Sequence, residues 1–221
     1  MLVSEKIKSL TMVSKNKMFF KQIKVGPMDN FNYILGDSGI AAVIDPAFEE
    51  DKLLKIAAEN SLSIKIILLT HAHPDHIEGV ERLAKETKAD IYVHENEKHE
   101  VEGMGNVIAF SGEKAIKIGE IEISAIETPG HTPGGVSYIV GKRIFTGDAL
   151  FIGAIGRTDL PGGDAETLYK TMMKFKSLPD DLEICPGHDY GEKPFAKLKE
   201  EKKNNPYLQC SSLKEFMQLI G

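Results

Sequence analysis

Short apolar runs alternate with amphipathic stretches along most of this chain of 221 residues. Runs that are continuously apolar, or that alternate between apolar and polar residues, predict strands, and apolar residues spaced three or four apart predict helices. The predicted strands are residues 19–25, 32–35, 40–44, 65–69, 91–93, 121–126, 136–140 and 144–145. The predicted helices are residues 50–60, 79–87, 165–176 and 194–204. Because the two kinds of element are interspersed, the pattern favours a layered α/β fold over an all-β barrel.

The composition of the chain gives no sign of a domain boundary within this pattern. Hydrophobic residues make up 42% of the chain, which at this length suffices for one compact core. We find no linker, low-complexity stretch or internal repeat, so residues 18–221 are expected to form a single domain. Residues 1–17 are rich in lysine and serine and lack a sustained apolar run. We therefore expect a flexible leader there rather than a signal peptide or a membrane span.

Charge and cysteine content limit the expected cellular location and the expected binding partners. The formal net charge is −6, whereas nucleic-acid-binding proteins usually carry a basic surplus, so we expect no nucleic-acid partner. The lack of a targeting segment predicts a cytoplasmic protein that does not bind membranes. The isolated Cys185 and Cys210 agree with a reducing compartment. His94 and His99 lie outside every turn motif and are expected at the surface, and the oligomeric state is left open.

A histidine-rich heptapeptide, Thr-His-Ala-His-Pro-Asp-His, follows one of the apolar runs. Pro74 cannot continue a strand ladder, so the polar side chains around it are expected at a sheet edge. His71 and His73 are two apart on an extended stretch and point the same way. Asp75 and His76 lie beyond the proline and can turn toward a second ion. Ligand types packed this densely indicate a metal site rather than a solvated loop.

Three later turns each deliver one further ligand-type residue. His131 stands in Thr-Pro-Gly-His-Thr-Pro-Gly-Gly, a loop whose glycines and prolines restrict the backbone. Asp148 follows an apolar run that ends in Phe-Thr-Gly, and His188 follows Pro-Gly after another apolar run. Taken singly, each turn could be ordinary loop punctuation, and Asp148 could be a cap. Four strand ends that all supply His or Asp favour a metal-binding edge.

In this order the motifs resemble those of the metallo-β-lactamase superfamily, from about residue 19 to the C-terminus. The resemblance implies an α/β fold, the four-layer αββα sandwich, with two divalent metal ions in a groove at its edge. The implied ligands fall into a first ligand group, a second ligand group and one bridging carboxylate. These are His71, His73 and His131 for the first ion, Asp75, His76 and His188 for the second, and Asp148 as the bridge. The implied ions are zinc, with iron or manganese as alternatives.

Further segments resemble glyoxalase II, the hydroxyacylglutathione hydrolases, and almost equally the persulfide dioxygenases. They are residues 145–160, 186–190 and 200–207. The bridging residue is also an aspartate where β-lactamases proper usually carry cysteine. The resemblance implies that Arg157 pairs with a substrate carboxylate, that Tyr190 hydrogen-bonds it, and that Lys202 adds a basic contact. The chain stops before the longer basic C-terminal region of full-length glyoxalase II. Glutathione as the thiol carrier is therefore left open.

The expected chemistry follows from the implied ions. A water shared by two divalent ions deprotonates near neutral pH, because binding lowers its pKa from about 15.7 toward about 7. With Asp148 and Asp75 as the catalytic carboxylates, this bridging hydroxide would attack a carbonyl without a protein nucleophile, and a thiolate would leave unassisted. We expect a metal-dependent thioester hydrolase of the glyoxalase II type, acting on a small thioester or thiol conjugate.

Two enzymatic alternatives remain at this point, beside a non-enzymatic metal-binding or scaffold protein. One is a persulfide dioxygenase with a single Fe(II) held by His71, His131 and Asp148, a set of two histidines and one carboxylate that leaves positions open for oxygen. The other is a different hydrolase of the same fold, a lactonase or a nuclease. Ligand count does not separate the hydrolase from the dioxygenase, because the resemblance implies all seven ligand residues in both.

Overall fold

The computed structural model describes residues 18–221, so the expected leader at residues 1–17 lies outside the described part of the chain. Within residues 18–221 the strands form two six-stranded sheets. The first sheet contains β1 (Phe19–Val25), β2 (Asn30–Asp37), β3 (Ile40–Ile44), β4 (Ser63–Leu68), β5 (Asp90–His94) and β6 (Asn106–Phe110). The second contains β7 (Lys114–Ile118), β8 (Ile121–Glu127), β9 (Val136–Val140), β10 (Arg143–Gly147), β11 (Glu183–Pro186) and β12 (Ala196–Lys197).

The helices lie between and after these strands. They are α1 (Glu50–Glu59), α2 (Pro74–Ile77), α3 (Val80–Thr87), α4 (Ala165–Ser177), α5 (Leu198–Asn204), α6 (Pro206–Gln209) and α7 (Leu213–Ile220). A 3₁₀ helix, Glu95–Val101, follows β5 directly. Among the described residues, none of these helices is both long and apolar enough to span a bilayer.

Both sheets combine antiparallel and parallel pairs. In the first sheet the strands follow chain order, with β1, β2 and β3 antiparallel and β3 to β6 parallel. The second sheet has the order β12-β11-β10-β9-β8-β7, in which β10 and β11 are the parallel pair. Parallel neighbours bring their carboxyl ends to one edge, where ligands bind in layered α/β proteins.

Three apolar clusters separate four layers. Between the sheets, Tyr33 of β2 meets Phe145 of β10 edge-on, with ring centroids 4.9 Å apart. Ile34, the next residue of β2, points to the opposite face and packs in a cluster with Leu53 of α1. Met172 of α4 belongs to the cluster on the outer face of the second sheet. The order helix, sheet, sheet, helix confirms the predicted αββα sandwich.

Each predicted strand overlaps an observed one, and the apolar run before His188 forms β11. The structure adds β6, β7 and β12. Strands β6 and β7 are sheet edges, where exposed positions blur the apolar pattern. The helix predicted over residues 194–204 is wrong at its start. Ala196 and Lys197 instead pair antiparallel with β11, and the helix begins at Leu198. The expectation that residues 18–221 form a single domain stays a prediction.

Candidate metal centre

The predicted ligands stand where strands of both sheets end. The loop after β4 carries His71 and His73, and Pro74 then opens α2 at a position where its missing N–H costs nothing. Asp75 and His76 consequently lie in the first turn of α2. The second sheet supplies the others from the β8–β9 loop, the end of β10 and the end of β11. These are His131, Asp148 and His188.

The structure brings six of these side chains together in two sets of three, and in each set the ligand atoms lie within 4.8 Å of one another. The sets are His71, His73 and His131, and Asp75, His76 and His188. In the first, His131 Nε2 lies 3.0 Å from His73 Nδ1. In the second, His76 Nε2 lies 3.1 Å from His188 Nε2. These are the first and second ligand groups assigned from the sequence, and each draws on both sheets.

Asp148 lies between the two groups. Its Oδ1 is 3.3 Å from His76 Nε2, and its Oδ2 is 3.2 Å from His188 Nε2. The same Oδ2 is 3.7 Å from His131 Nε2 in the first group. A carboxylate with both oxygens directed at both groups has the placement that a bridging ligand requires.

Four of the histidines are fixed through the ring nitrogen that faces away from the centre. In each case Nδ1 has a polar partner, so Nε2 is left for the interior of the site. The partners are Thr70 Oγ1 for His71 at 3.1 Å, Asp45 Oδ2 for His76 at 3.1 Å, the Arg157 carbonyl for His131 at 2.7 Å, and the Met28 carbonyl for His188 at 2.9 Å. The site is thus pre-oriented by the fold.

The residues present fit a pair of divalent ions. His71 Nε2 and Asp148 Oδ1 are buried and have no hydrogen-bond partner among residues 18–221, an arrangement that is unfavourable unless another group satisfies them. Two imidazole nitrogens also face each other across the second group. Imidazole with carboxylate is a donor set that suits zinc, iron or manganese.

Charge within the site is strongly coupled. Burial lowers the pKa of His188, but hydrogen bonds to Asp148 and Asp75 outweigh it and raise that pKa to about 9. Burial also opposes the charge on His76, yet the carboxylates of Asp148 and Asp45 raise its pKa well above the usual value. In the first group the direction is reversed. Burial, reinforced by the charge on His76, lowers the pKa of His71 well below its usual value.

Two supporting residues were missed by the sequence analysis. Asp45 follows β3, is buried, and accepts hydrogen bonds from the Thr70 amide at 2.7 Å and the Thr70 hydroxyl at 2.5 Å. Although its oxygen lies near His71 and His76, these contacts make it a support rather than a ligand. Asn30 Nδ2 donates to Asp75 Oδ2 at 2.9 Å. Asp45 carried the signal that identified Asp148, a carboxylate directly after an apolar strand.

Tyr190 and Arg157, both expected to bind substrate, have different surroundings. Tyr190 is 53% exposed, and its ring stacks on His188 with centroids 4.6 Å apart, which places it beside the second group. The guanidinium of Arg157 is largely exposed and forms a two-point ion pair with Asp159 at 2.8 and 2.7 Å. Arg157 contacts the site through its backbone carbonyl, which lies against His131 Nδ1. Both substrate roles stay predictions.

Lys202, in α5, contacts the segment that follows α4. Its ammonium donates to the Leu178 carbonyl at 2.7 Å and to Asp180 at 2.6 Å. Both partners precede β11, whose opposite end leads to His188. These contacts tie α5 to the segment after α4, and the predicted role of Lys202 in substrate binding stays a prediction.

The expectation of a surface position is wrong for His94 and holds for His99. His94 is 6% exposed because its two ring nitrogens are used, Nε2 with Glu127 at 3.0 Å and Nδ1 with the Asn96 amide at 3.2 Å. The side chain of His99 is 71% exposed. Cys185 and Cys210 are both free and buried, in agreement with ordinary core thiols.

Comparison with known proteins identifies the family. Residues 25–188 match the metallo-β-lactamase superfamily. The chain belongs to this superfamily. It is 34% identical over 192 residues to the "probable polyketide biosynthesis zinc-dependent hydrolase BaeB" of Bacillus velezensis, covering 85% of each chain. It is also 34% identical over 203 residues to the hydroxyacylglutathione hydrolase GloC of Haemophilus influenzae, covering 83% of this chain and 94% of that one.

Among solved structures, ETHE1 from Myxococcus xanthus superposes with a TM-score of 0.84 at 33% identity, covering 92% of this chain and 90% of that one. This match extends the shared architecture over nearly the whole described chain. The two relatives named above carry different hydrolase names, so family membership fixes the fold and the class of site more firmly than the substrate.

Proposed function

We propose that this protein is a metal-dependent thioester hydrolase of the glyoxalase II type. The observation that carries the proposal is the convergence of five imidazoles and two carboxylates on one small volume, with Asp148 within reach of both groups. The likeness to a hydroxyacylglutathione hydrolase over 83% of the chain supports the substrate class. The zinc-dependent relative supports zinc as the bound metal.

The protein itself contributes positioning and charge. Bound ions would supply a water of lowered pKa and an electrophilic contact for a carbonyl oxygen. Asp148 would fix the separation of the two ligand groups. Burial raises the pKa of Asp75, but hydrogen bonds from His188 and Asn30 and the charge on His76 outweigh it and hold the pKa below its usual value. Asp75 therefore stays ionised and available as a ligand at neutral pH.

The thiols of the chain do not compete with this mechanism as nucleophiles. Burial raises the pKa of Cys185 and of Cys210, so both stay protonated at neutral pH. A thioester suits the site because its thiolate leaving group has a pKa near about 8.5 and departs without a proton donor. We propose a small-molecule thioester as substrate, with no nucleic-acid or membrane partner, and a cytoplasmic location.

The direct test is hydrolysis of S-lactoylglutathione by protein loaded with zinc. Loss of the thioester absorbance and release of free thiol are expected, together with two metal ions per chain by elemental analysis. A neutral N-acetylcysteamine thioester, assayed in parallel, tests whether the thiol carrier is recognised. If every thioester stays intact while iron-loaded protein consumes oxygen with glutathione persulfide, the hydrolase proposal is wrong and the dioxygenase replaces it.

A further inference from the structure

A buried carboxylate outside the ligand set connects the two loops that carry the first ligand group. Glu97 stands in the 3₁₀ helix after β5 and is 5% exposed. Its Oε2 accepts a hydrogen bond from the backbone amide of Ala72. Its Oε1 accepts from the Thr132 hydroxyl and, at 2.9 Å, from the Gly134 amide. One side chain from a third element thus holds both loops.

The positions of these donors relate Glu97 to one metal site rather than to both. Ala72 lies between His71 and His73, and Thr132 follows His131. The donors are therefore chain neighbours of all three members of the first ligand group. We propose that Glu97 is a positioning residue that fixes the geometry and affinity of the first metal site, an inference that rests on the proposed metal centre.

The loop around His131 is shaped to receive this carboxylate. A Cβ atom added at Gly134 would lie 2.7 Å from Glu97 Cγ, so a side chain there would collide with the glutamate. The 3₁₀ helix makes a second link to the same loop, because Asn96 Nδ2 donates to the Pro133 carbonyl at 3.2 Å. The backbone of the loop and the glutamate are thus packed against each other as one unit.

The second ligand group is held by other residues. Asn30 donates to Asp75, Asp45 contacts His76, and the Met28 carbonyl accepts from His188. None of these contacts involves the 3₁₀ helix. A change at Glu97 should therefore weaken metal binding at the first site and not at the second. A general loss of stability should weaken binding at both.

Replacement by glutamine is the informative change, because it keeps the shape and removes one acceptor. A glutamine amide has one acceptor oxygen, which can face only one of the two loops. Its NH₂ group then faces the N–H or O–H donors of the other loop and cannot accept from them. Glu97→Gln can hold either the Ala72 amide or the Thr132 and Gly134 donors, but not both loops together. Loss of such an outer contact typically weakens metal binding about 10- to 100-fold.

The experiment measures zinc affinity at each site separately, with a competing chromophoric chelator. Glu97→Gln is combined with His188→Ala, which removes the second site, and with His131→Ala, which removes the first. In the first background we expect zinc binding about 10- to 100-fold weaker than without the glutamine. In the second background the change should stay under about threefold. These affinities do not depend on which substrate is hydrolysed, so the proposal can fail while the proposed function stands.

Two further variants keep the test sharp. Asp37→Asn is the matched control, because Asp37 is also a buried carboxylate that accepts from a backbone amide and a hydroxyl, Glu120 N at 2.8 Å and Ser38 Oγ at 3.0 Å. It should leave zinc binding unchanged at both sites. Thr132→Val removes one donor only and tests the idea if Glu97→Gln does not fold, with about 3- to 10-fold weaker binding expected at the first site. Equal losses at the two sites, or no loss at the first, would overturn the proposal.

Discussion

The two ligand groups lie side by side but are supported in different ways. The loops of the first group are joined by the single carboxylate of Glu97, in addition to the contacts of His71 with Thr70 and of His131 with the Arg157 carbonyl. The second group is held by separate contacts from the β1–β2 hairpin, from β2 and from the end of β3. One carboxylate thus joins the loops of the first group, whereas the contacts of the second group come from three separate places. The difference teaches that two neighbouring ligand groups can have separate sensitivities to mutation and to pH.

Removal of the residue shared by both groups should give the largest effect. In Asp148→Ala the contact between the groups is lost, and activity should fall by about a thousandfold or more, the upper range for one stabilising group. Metal content should fall with it while circular dichroism stays near wild type. Asp164→Ala is the control, because Asp164 caps α4 through the Thr167 amide at 2.7 Å and its loss should cost about 1 kcal/mol without releasing metal. Full activity with full metal content would contradict the bridging assignment.

The next largest effect is expected from pH, which should change metal affinity at the two groups to different degrees. The pKa of His188 is raised to about 9, so a proton must leave it before a metal binds, whereas the lowered pKa of His71 leaves that ring neutral. Affinity at the second site should rise at least about tenfold per pH unit from about pH 6.5 to about 9, because His76, whose pKa is also raised, must lose a proton as well; affinity at the first site should rise less. Calorimetric titration over this range measures both. His99→Asn should keep the slopes unchanged, and equal slopes at the two sites would argue against the assignment.

The same pKa predicts the stability of the metal-free protein. A histidine whose pKa is raised on folding stabilises the fold fully below its unfolded value of about 6.5, and that contribution is lost as the pH rises through about 9. The Tm of metal-free protein should therefore fall over this window. The stabilisation produced by added metal should grow over the same window. A Tm of metal-free protein that rises from pH 6.5 to 9 would contradict this account.

A change at Asn30 should weaken the second group alone. Asn30→Ala removes the donor to Asp75 and should weaken zinc binding at that site about tenfold, the lower end for an outer contact. Asn32→Ala is a close control, because Asn32 is equally buried two residues along β2 but bonds to Phe48 and Ala47 instead. Both variants should lower Tm, and only Asn30→Ala should change zinc affinity. Equal zinc losses in the two would indicate a general effect of destabilising β2.

The smallest effect is expected at Arg157, because its ion pair with Asp159 is exposed and such pairs contribute little. If Arg157 binds an anionic thiol conjugate, Arg157→Ala should raise KM about tenfold at nearly constant kcat. Asp159→Ala should then lower KM by releasing the guanidinium. If the pair only fixes its loop, both variants should have the same small effect. A neutral thioester substrate should show no change in either variant.

Local sequence patterns predicted most of the strands, the helices and the ligand positions. The ligand positions follow from one rule, a His or Asp at the end of an apolar strand, and the rule would also have found Asp45. Glu97 gave no such signal, because it lies in a polar helix 25 residues from Ala72 and 35 from Thr132 and becomes significant only when three loops meet. The burial of His94 likewise depends on Glu127, which is 33 residues away. Contacts between distant segments of this kind are invisible to spacing and periodicity.

Each ligand group draws on both sheets, and this has a consequence for the whole sandwich. The contact between His73 and His131 joins residues 58 apart, and that between His76 and His188 joins residues 112 apart. Residues of both sheets that held a common ion would be joined by a reversible cross-link across a long loop, and such closures restrict the unfolded chain. Metal removal should therefore loosen the seam between the sheets. Faster hydrogen exchange of the amides in β4 and β10 would report that opening.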